Sequence, residues 1–149
     1  MFQLRSFLSN QWKIGEGEQR ILYNPSTEEP IAQTSTRNLP FAESLNYARE
    51  VGGPTLRNMT FTERGELLKS MSKILHEKRE YFLDISRDCN GATRGDSKFD
   101  VDGATATLST YARYGKHLGD RKYLFDGEAE KLGANARYVG QHLRLPRPG

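Results

Sequence analysis

The chain has 149 residues, of which 36% are hydrophobic, 10% aromatic and 28% charged, and its formal net charge is +3 at pH 7. These values suit one globular domain and exclude a disordered tail, while the small charge without a dense basic stripe argues against a nucleic-acid partner. The single cysteine excludes an internal disulfide framework, and no apolar run suits a signal peptide or a membrane span, so we expect a cytoplasmic protein without a membrane partner.

The first 36 residues predict a small antiparallel β-unit. They lack helical periodicity, and the short runs SFLSNQWKIG, RILYNP and PIAQTST contain β-branched or aromatic residues. The stretches between them have the composition of turns, and Asn24 followed by Pro25 is well suited to starting one. We therefore predict residues 1–36 as one unit and residues 37–149 as a helical unit with a terminal strand.

After Pro40 the apolar residues follow a helical period. The first predicted stripe consists of Phe41, Leu45 and Ala48. Gly52, Gly53 and Pro54 are expected to end or bend this first helix.

The next helix has the clearest signal in the chain. Thr60 and Glu63 have the spacing of a capping box at its start. We interpret its apolar stripe as ordinary core packing, with a break near His76 as an alternative to one continuous helix. The stripe consists of Leu67, Leu68, Met71, Ile74, Leu75, Tyr81, Phe82 and Ile85.

A third helix is predicted after GDS. Its stripe consists of Val101, Ala104, Leu108, Tyr111 and Ala112. Gly103 and Ala106 are small enough for close approach to a neighbour, and Gly115 and Gly119 are expected to close the helix. DRKYLFDGEAEKLGANA then has the character of a loop and RYVGQHLRLP that of a strand, so the fold class is α+β and mainly helical.

The stretch RDCNGATRGDSKFDVDG, residues 87–103, holds four aspartates and the only cysteine. An EF-hand calcium loop needs glycine at its sixth position and glutamate at its twelfth. Counted from Asp88 these positions hold Thr93 and Phe99, and a count from Asp100 fails as well. We therefore predict no metal site.

Helix ends explain the same stretch better, including its RGD tripeptide. Gly91 or Gly95 can adopt a positive φ at a helix C-terminus, and Asp96 or Ser97 can cap the N-terminus of the next helix. The stretch is thus predicted to connect two helices.

Cys89 would need a neighbouring base to act as a nucleophile, and no histidine has a spacing to it that indicates a pair. We predict a half-buried structural thiol there and an exposed His76. The GEG at residues 15–17 lacks the βαβ context of a dinucleotide site. The residues therefore predict no catalytic and no cofactor-binding site within this chain.

The order of these elements resembles the start of the aldehyde dehydrogenases. NPSTEEPIAQTS resembles that family's NP-x-T-G-E-x-I turn and strand, and the sequence from FTERGELLK to STYARYG resembles its ER-x-x-x-L helix, short Gly loop and following helix. GATRGDSKFDVDGATATLSTYA is similar to the branch that acts on CoA-thioester semialdehydes in aromatic degradation, of the phenylacetate ring-opening and benzoyl-CoA pathway type. The resemblance covers essentially the whole chain. It implies a partial aldehyde dehydrogenase fold, with residues 37–149 as part of an incomplete cofactor-binding domain.

In that family the nucleophilic Cys, the general-base Glu, the oxyanion-stabilising Asn and the nicotinamide-binding elements would all lie beyond position 149. The resemblance therefore implies that Cys89 is not catalytic and that this chain alone is inactive. It also implies that NAD or NADP binds the complete enzyme and not this chain. The helix near Gly103, Ala104 and Thr107 would correspond to the family's substrate-tunnel helix, whose small residues leave room for a bulky acyl-CoA.

Two functions remain open. The chain is either the N-terminal segment of an NAD(P)-dependent aldehyde dehydrogenase, with the remainder of that enzyme as its partner, or a free-standing helical interaction module without activity. The substrate of the first would be an aldehyde in general or a CoA-thioester semialdehyde. Because the small β-unit and the terminal strand leave open strand edges, we also expect a homo-oligomer.

Overall fold

The computed structural model describes residues 1–135 and 137–147 of the chain. Ala136, within the predicted loop, and residues 148–149 lie outside the described part. The elements follow one another as a β-unit, a helical part and a terminal β-hairpin.

The N-terminal β-unit is confirmed, except that one of its strand pairs is parallel where an antiparallel unit was predicted. Its strands are β1 (Phe2–Gln3), β2 (Ser6–Leu8), β3 (Gln11–Lys13), β4 (Arg20–Tyr23) and β5 (Pro30–Thr34). β2 and β3 form an antiparallel hairpin, and β4 pairs antiparallel with β5. β1 pairs with the other edge of β5 in parallel, with Phe2 opposite Ala32. The parallel pair is not visible in the residue pattern, because a two-residue strand carries no periodicity of its own.

The first helical segment continues through the glycine pair that was expected to end or bend it. It consists of α1 (Phe41–Tyr47), a π-helical stretch (Ala48–Gly52) and α2 (Gly53–Asn58). Pro54 lies in the first turn of α2 and has no N–H to donate to the π-helical turn before it. At the glycine pair the helix therefore does not end: it changes from α to π geometry and back to α.

The predicted capping box and the break in the long helix are both confirmed. α3 (Phe61–Glu77) begins after Thr60, whose Oγ1 accepts the Glu63 N–H at 3.2 Å. The Thr60 N–H in turn donates to the Glu63 carboxylate at 2.7 Å. Lys78 separates α3 from α4 (Arg79–Asn90).

α5 (Arg94–Leu118) packs against α3 through glycines. A Cβ on Gly65 would lie 2.8 Å from the Ala112 carbonyl oxygen, and one on Gly115 would lie 2.6 Å from the Phe61 carbonyl oxygen. The close approach predicted at Gly103 is wrong, because a Cβ there would meet no atom of the described residues within 4 Å. Gly115 lies inside the helix, and only Gly119 closes it.

A hairpin follows α5, and half of it is a strand where a loop was predicted. β6 (Leu124–Lys131) pairs antiparallel with β7 (Val139–Arg144). The terminal strand is confirmed, but one of its edges, expected to be open, pairs with β6. The residue pattern does not predict β6, because nearly all of its residues are exposed, the charged ones included. Its sequence therefore lacks the alternation of apolar and polar residues that is typical of a half-buried strand.

The buried core of the described residues is small. Its apolar side chains are Ala32, Leu83 and Ala112, and its polar ones are Ser97 and Thr105. The apolar stripe of α3 and α4 was interpreted as core packing, but most of it is exposed in this chain. The exposed members are Leu67, Met71, Ile74, Tyr81 and Ile85. No helix within the described ranges combines the length and the apolar character that crossing a membrane requires.

Candidate functional site

The segment that joins α4 to α5 consists of residues 91–93 alone. Gly91 follows α4 with φ of 64°, the left-handed geometry predicted for one of the two glycines. Thr93, rather than Asp96 or Ser97, caps α5: its Oγ1 accepts the Asp96 N–H at 3.2 Å. The Thr93 hydroxyl also donates to the Asp96 carboxylate at 2.7 Å. Asp96 is therefore the acidic partner inside the first turn, while Ser97 is fully buried.

This connection rests on a turn of the β-unit. A Cβ on Gly91 would lie 3.0 Å from Cγ of Pro25, so the backbone of the connection contacts the turn directly. The Asn24 amide donates to Asp88 at 3.4 Å. Its side-chain oxygen accepts the Ser26 N–H at 2.9 Å, which confirms the turn predicted at Asn24. The β-unit thereby contacts the end of α4 and the connection that leads to α5.

Asp102 is bound by an arginine from another helix instead of capping a helix end. Arg79 donates to Asp102 through Nε at 2.6 Å and through Nη2 at 2.7 Å, a two-pronged contact between the start of α4 and the middle of α5. Arg79 also contacts Glu80 at 2.8 Å, and Glu80 accepts from Arg94 at 2.6 Å. We call these four residues, Arg79, Glu80, Arg94 and Asp102, the ion-pair cluster.

The charges of the ion-pair cluster stabilise one another. Hydrogen bonds from Arg79 lower the pKa of Asp102, with further help from the charges of Arg79, Lys98 and His76 and against the opposing effect of desolvation. The hydrogen bond from Arg94 lowers the pKa of Glu80 in the same way. The pKa of Arg79 is raised above its usual range, chiefly by its hydrogen bonds to Asp102. Arg79, Glu80 and Asp102 are therefore charged at neutral pH.

A second anchor lies next to the cluster. Thr105 is buried, and its hydroxyl donates to the carbonyl oxygens of Val101 at 2.8 Å and Asp102 at 3.0 Å. Ser72 of α3 donates to the Thr105 carbonyl oxygen at 3.0 Å. The turn of α5 from residue 101 to 105 is thus fastened to both α3 and α4.

Gly103, Ala104 and Thr107 lie on the part of α5 that this anchored turn begins. All three are exposed, and Gly103 and Thr107 are one helical turn apart on the same face. Ala104 borders an apolar groove of about 280 Å³. The groove is lined by Leu75, Phe82, Ile85, Ser86, Asp100, Val101, Ala104 and Thr105. The three small residues therefore border open space.

The other candidate residues lie apart from this region. Cys89 is exposed in the last turn of α4, so the half-buried position predicted for it is wrong. His76 is exposed, as predicted. In the part of the chain that the structure describes, no three His, Cys, Asp or Glu side chains are grouped closely enough to hold a metal ion.

Arg79 and the cluster around it are the part of the site that the sequence did not reveal. Arg79 and Asp102 are 23 positions apart on different helices. In the sequence, both residues have the character of charged residues on a solvent-exposed helical face. Only the packing of α4 against α5 brings their side chains into contact.

The sequence profile described as the aldehyde dehydrogenase family matches residues 12–137. The chain belongs to the aldehyde dehydrogenase family. This confirms the family resemblance, which rested on the order of the β-unit, the capped helix and the Gly-containing connection. The family match begins in β3 and runs through α5 and β6.

Among curated proteins, a 3,4-dehydroadipyl-CoA semialdehyde dehydrogenase from Aromatoleum evansii is 37% identical over 147 residues. The match takes in 99% of this chain and 28% of that enzyme. The chain is therefore similar in sequence to a dehydrogenase named for a CoA semialdehyde. The chain spans little more than a quarter of that relative's length.

Solved aldehyde dehydrogenase structures confirm the partial family fold. An NAD-dependent benzaldehyde dehydrogenase from Corynebacterium glutamicum is 15% identical with a TM-score of 0.69, over 83% of this chain and 27% of its own. A 3,6-anhydro-L-galactose dehydrogenase in complex with NADP is 13% identical with a TM-score of 0.70, and the match covers 89% of this chain and 27% of that one. Betaine aldehyde dehydrogenase from Staphylococcus aureus, in complex with NAD+, is 20% identical with a TM-score of 0.66, and the match covers 87% of this chain and 25% of that one.

Proposed function

We propose that this chain is a segment of an NAD(P)-dependent aldehyde dehydrogenase that oxidises a CoA-thioester semialdehyde to the acid. The observation that carries the proposal is the 37% identity over nearly the whole chain to a CoA semialdehyde dehydrogenase. Related folds that hold NAD or NADP support the nicotinamide cofactor. The remainder of the dehydrogenase is the partner that supplies the catalytic groups and binds the cofactor.

The contribution of this segment to the site is to border the path of the substrate. Gly103, Ala104 and Thr107 are the residues proposed to line it. Their support is geometric: they are small, exposed and adjacent, and Ala104 borders an apolar groove. A bulky acyl-CoA needs such space, and an apolar wall suits its acyl chain because burial of apolar surface is favourable.

A homo-oligomer in the cytoplasm completes the proposal. The exposed apolar stripe of α3 and α4 and the two-stranded β6–β7 hairpin both present surfaces that another segment or another subunit can cover. The single cysteine fits a reducing compartment.

The test uses the full-length protein that contains this segment. The purified enzyme should reduce NAD or NADP in the presence of a CoA-thioester semialdehyde, with a higher kcat/KM than for a short free aldehyde. Absence of oxidation of every aldehyde would contradict the proposed function and would favour the interaction module.

A pair of matched variants tests the position of the substrate path. Thr107→Phe places a bulky ring on the proposed tunnel face, and Arg113→Phe places the same ring at an exposed position on another face of α5, since six residues correspond to about 240° around a helix. We expect a loss of about tenfold or more in kcat/KM for the CoA substrate with Thr107→Phe and little change with Arg113→Phe. Equal effects of both variants would remove Thr107 from the path.

A further inference from the structure

The middle of α5 has an intrinsic weak point. Gly103 lies in the interior of a 25-residue helix, and the space where its side chain would be is empty. A glycine inside a helix is less favourable than alanine, because its backbone loses more conformational freedom on folding. The turn that contains Gly103 therefore depends on its neighbours to stay in place.

The neighbour immediately before the glycine provides a directional contact. Asp102 receives two hydrogen bonds from Arg79, and the Arg79 side chain is only 22% exposed. A two-pronged arginine–carboxylate contact fixes both distance and orientation, whereas a single charge contact fixes distance alone. The contact thus fixes the Asp102 side chain, next to Gly103, relative to the start of α4.

Arg79 has a second contact, to Glu80, whose side chain is exposed, so this contact constrains Arg79 only weakly. Glu80 accepts one hydrogen bond from Arg79 and another from Arg94, which lies in the first turn of α5. On the α3 side, the Ser72 contact to the Thr105 carbonyl oxygen fastens the same turn. The inward face of the turn is fastened from two helices, and Gly103 and Thr107 remain exposed.

We propose that Arg79 is a positioning residue for the substrate: through Asp102 it holds the turn of α5 that carries Gly103, Ala104 and Thr107, and so sets the width of the substrate path. This inference rests on the proposed function, because it takes those three residues to border the path. Arg79 touches no substrate, and its effect passes through the position of the helix. Bulky substrates should therefore depend on it more than small ones.

The experiment uses the full-length dehydrogenase and two substrates, a CoA-thioester semialdehyde and a short free aldehyde. Asp102→Asn has nearly the size of the native side chain but removes its charge. It should raise KM for the CoA substrate about tenfold, because a displaced turn weakens the contacts that bind this bulky substrate. KM for the short aldehyde and kcat for both substrates should stay within about twofold of the native values. Arg79→Gln should raise KM for the CoA substrate as Asp102→Asn does. Arg79→Lys should raise it less, because lysine keeps the charge but cannot make the two parallel hydrogen bonds of a guanidinium group.

Arg94→Gln is the matched control. It removes the contact to Glu80 within the same cluster but leaves both Arg79–Asp102 hydrogen bonds. We expect it to leave KM for both substrates nearly unchanged. If Arg94→Gln raises KM as much as Asp102→Asn, or if Asp102→Asn lowers the melting temperature without changing the ratio of the two KM values, the positioning role is overturned.

A second measurement does not depend on activity. Hydrogen exchange of the backbone amides at residues 103–107 should become faster in Asp102→Asn than in Arg94→Gln, while exchange in α3 stays unchanged. Unchanged exchange at these amides would overturn the proposal even if the enzyme oxidised no aldehyde. Absence of aldehyde oxidation by the native enzyme, in contrast, would contradict only the proposed function.

Discussion

Gly65 of α3 and Gly115 of α5 bring the two longest helices into backbone contact: a Cβ on Gly115 would lie 3.0 Å from the Gly65 Cα. The same Cβ would lie 2.6 Å from the Phe61 carbonyl oxygen, a distance that real Cβ contacts essentially never show. Backbone atoms cannot move aside as a flexible side chain can. The helix pair is therefore specified by two glycines that share one contact.

Gly115→Ala should destabilise the chain by about 1–3 kcal/mol, the usual cost of forcing extra volume into a packed contact. Gly103→Ala is the control on the same helix, because its added Cβ meets open space. That control should stabilise the helix by up to about 1 kcal/mol. Urea unfolding of the two variants checks both signs, and equal changes would show that α3 and α5 do not approach as closely as described.

Thr60→Ala should destabilise the N-terminus of α3, because Thr60 is its N-cap residue. The variant loses the acceptor for the Glu63 N–H and leaves one side of the capping box without its partner, which costs about 1 kcal/mol. Thr62→Ala, inside the first turn, is the matched control and should cost clearly less. Thermal unfolding compares the two, and a larger effect at Thr62 would contradict the capping role.

Local signals account for what the sequence predicted correctly. The capping box at Thr60, the left-handed Gly91 and the turn at Asn24 each depend on residues within a few positions of one another, so their chemistry is legible in the chain. The family resemblance supplied the partial fold and placed Gly103, Ala104 and Thr107 on one helix. The role of those three residues as a substrate path remains a prediction.

Non-local packing accounts for what was missed. The Gly65–Gly115 contact and the Arg79–Asp102 pair join separate helices, and β6 is a strand because it pairs with β7. The apolar stripe of α3 and α4 was expected to be buried because periodicity shows which residues share a face. It does not show whether a partner covers that face.

Acid should weaken the fold through the ion-pair cluster. Asp102 and Glu80 both have a pKa lowered by their arginine partners, so at acid pH the unfolded chain binds more protons than the folded one. Their contribution is fully present above their ordinary pKa values of 3.8 and 4.5 and is lost as pH falls through the lowered values. Urea unfolding between about pH 6 and pH 3 should show a shallower loss in the double variant Asp102→Asn, Glu80→Gln. The same slope in native and variant chains would show that other carboxyls govern the acid response.

The 149-residue chain, when purified by itself, should self-associate or be only marginally stable as a monomer. Its buried apolar core is small, and large apolar side chains such as Met71, Ile74 and Tyr81 are about half exposed or more on the stripe of α3 and α4. The net stability of a domain is only about 5–15 kcal/mol, so an apolar face left in water takes away a substantial part of it. Light scattering at micromolar concentration should detect oligomers, and the melting temperature should rise with protein concentration.

Met71→Lys and Ile74→Lys together should reduce this self-association, because they place two charges on the exposed stripe. Lys69→Met with Lys73→Met is the matched control, since it exchanges the same kinds of side chain on the charged side of the same helix. The control should leave association unchanged or increase it. A strictly monomeric native chain with a sharp, concentration-independent melting transition would instead show that the segment closes its own surfaces, and would favour the free-standing module.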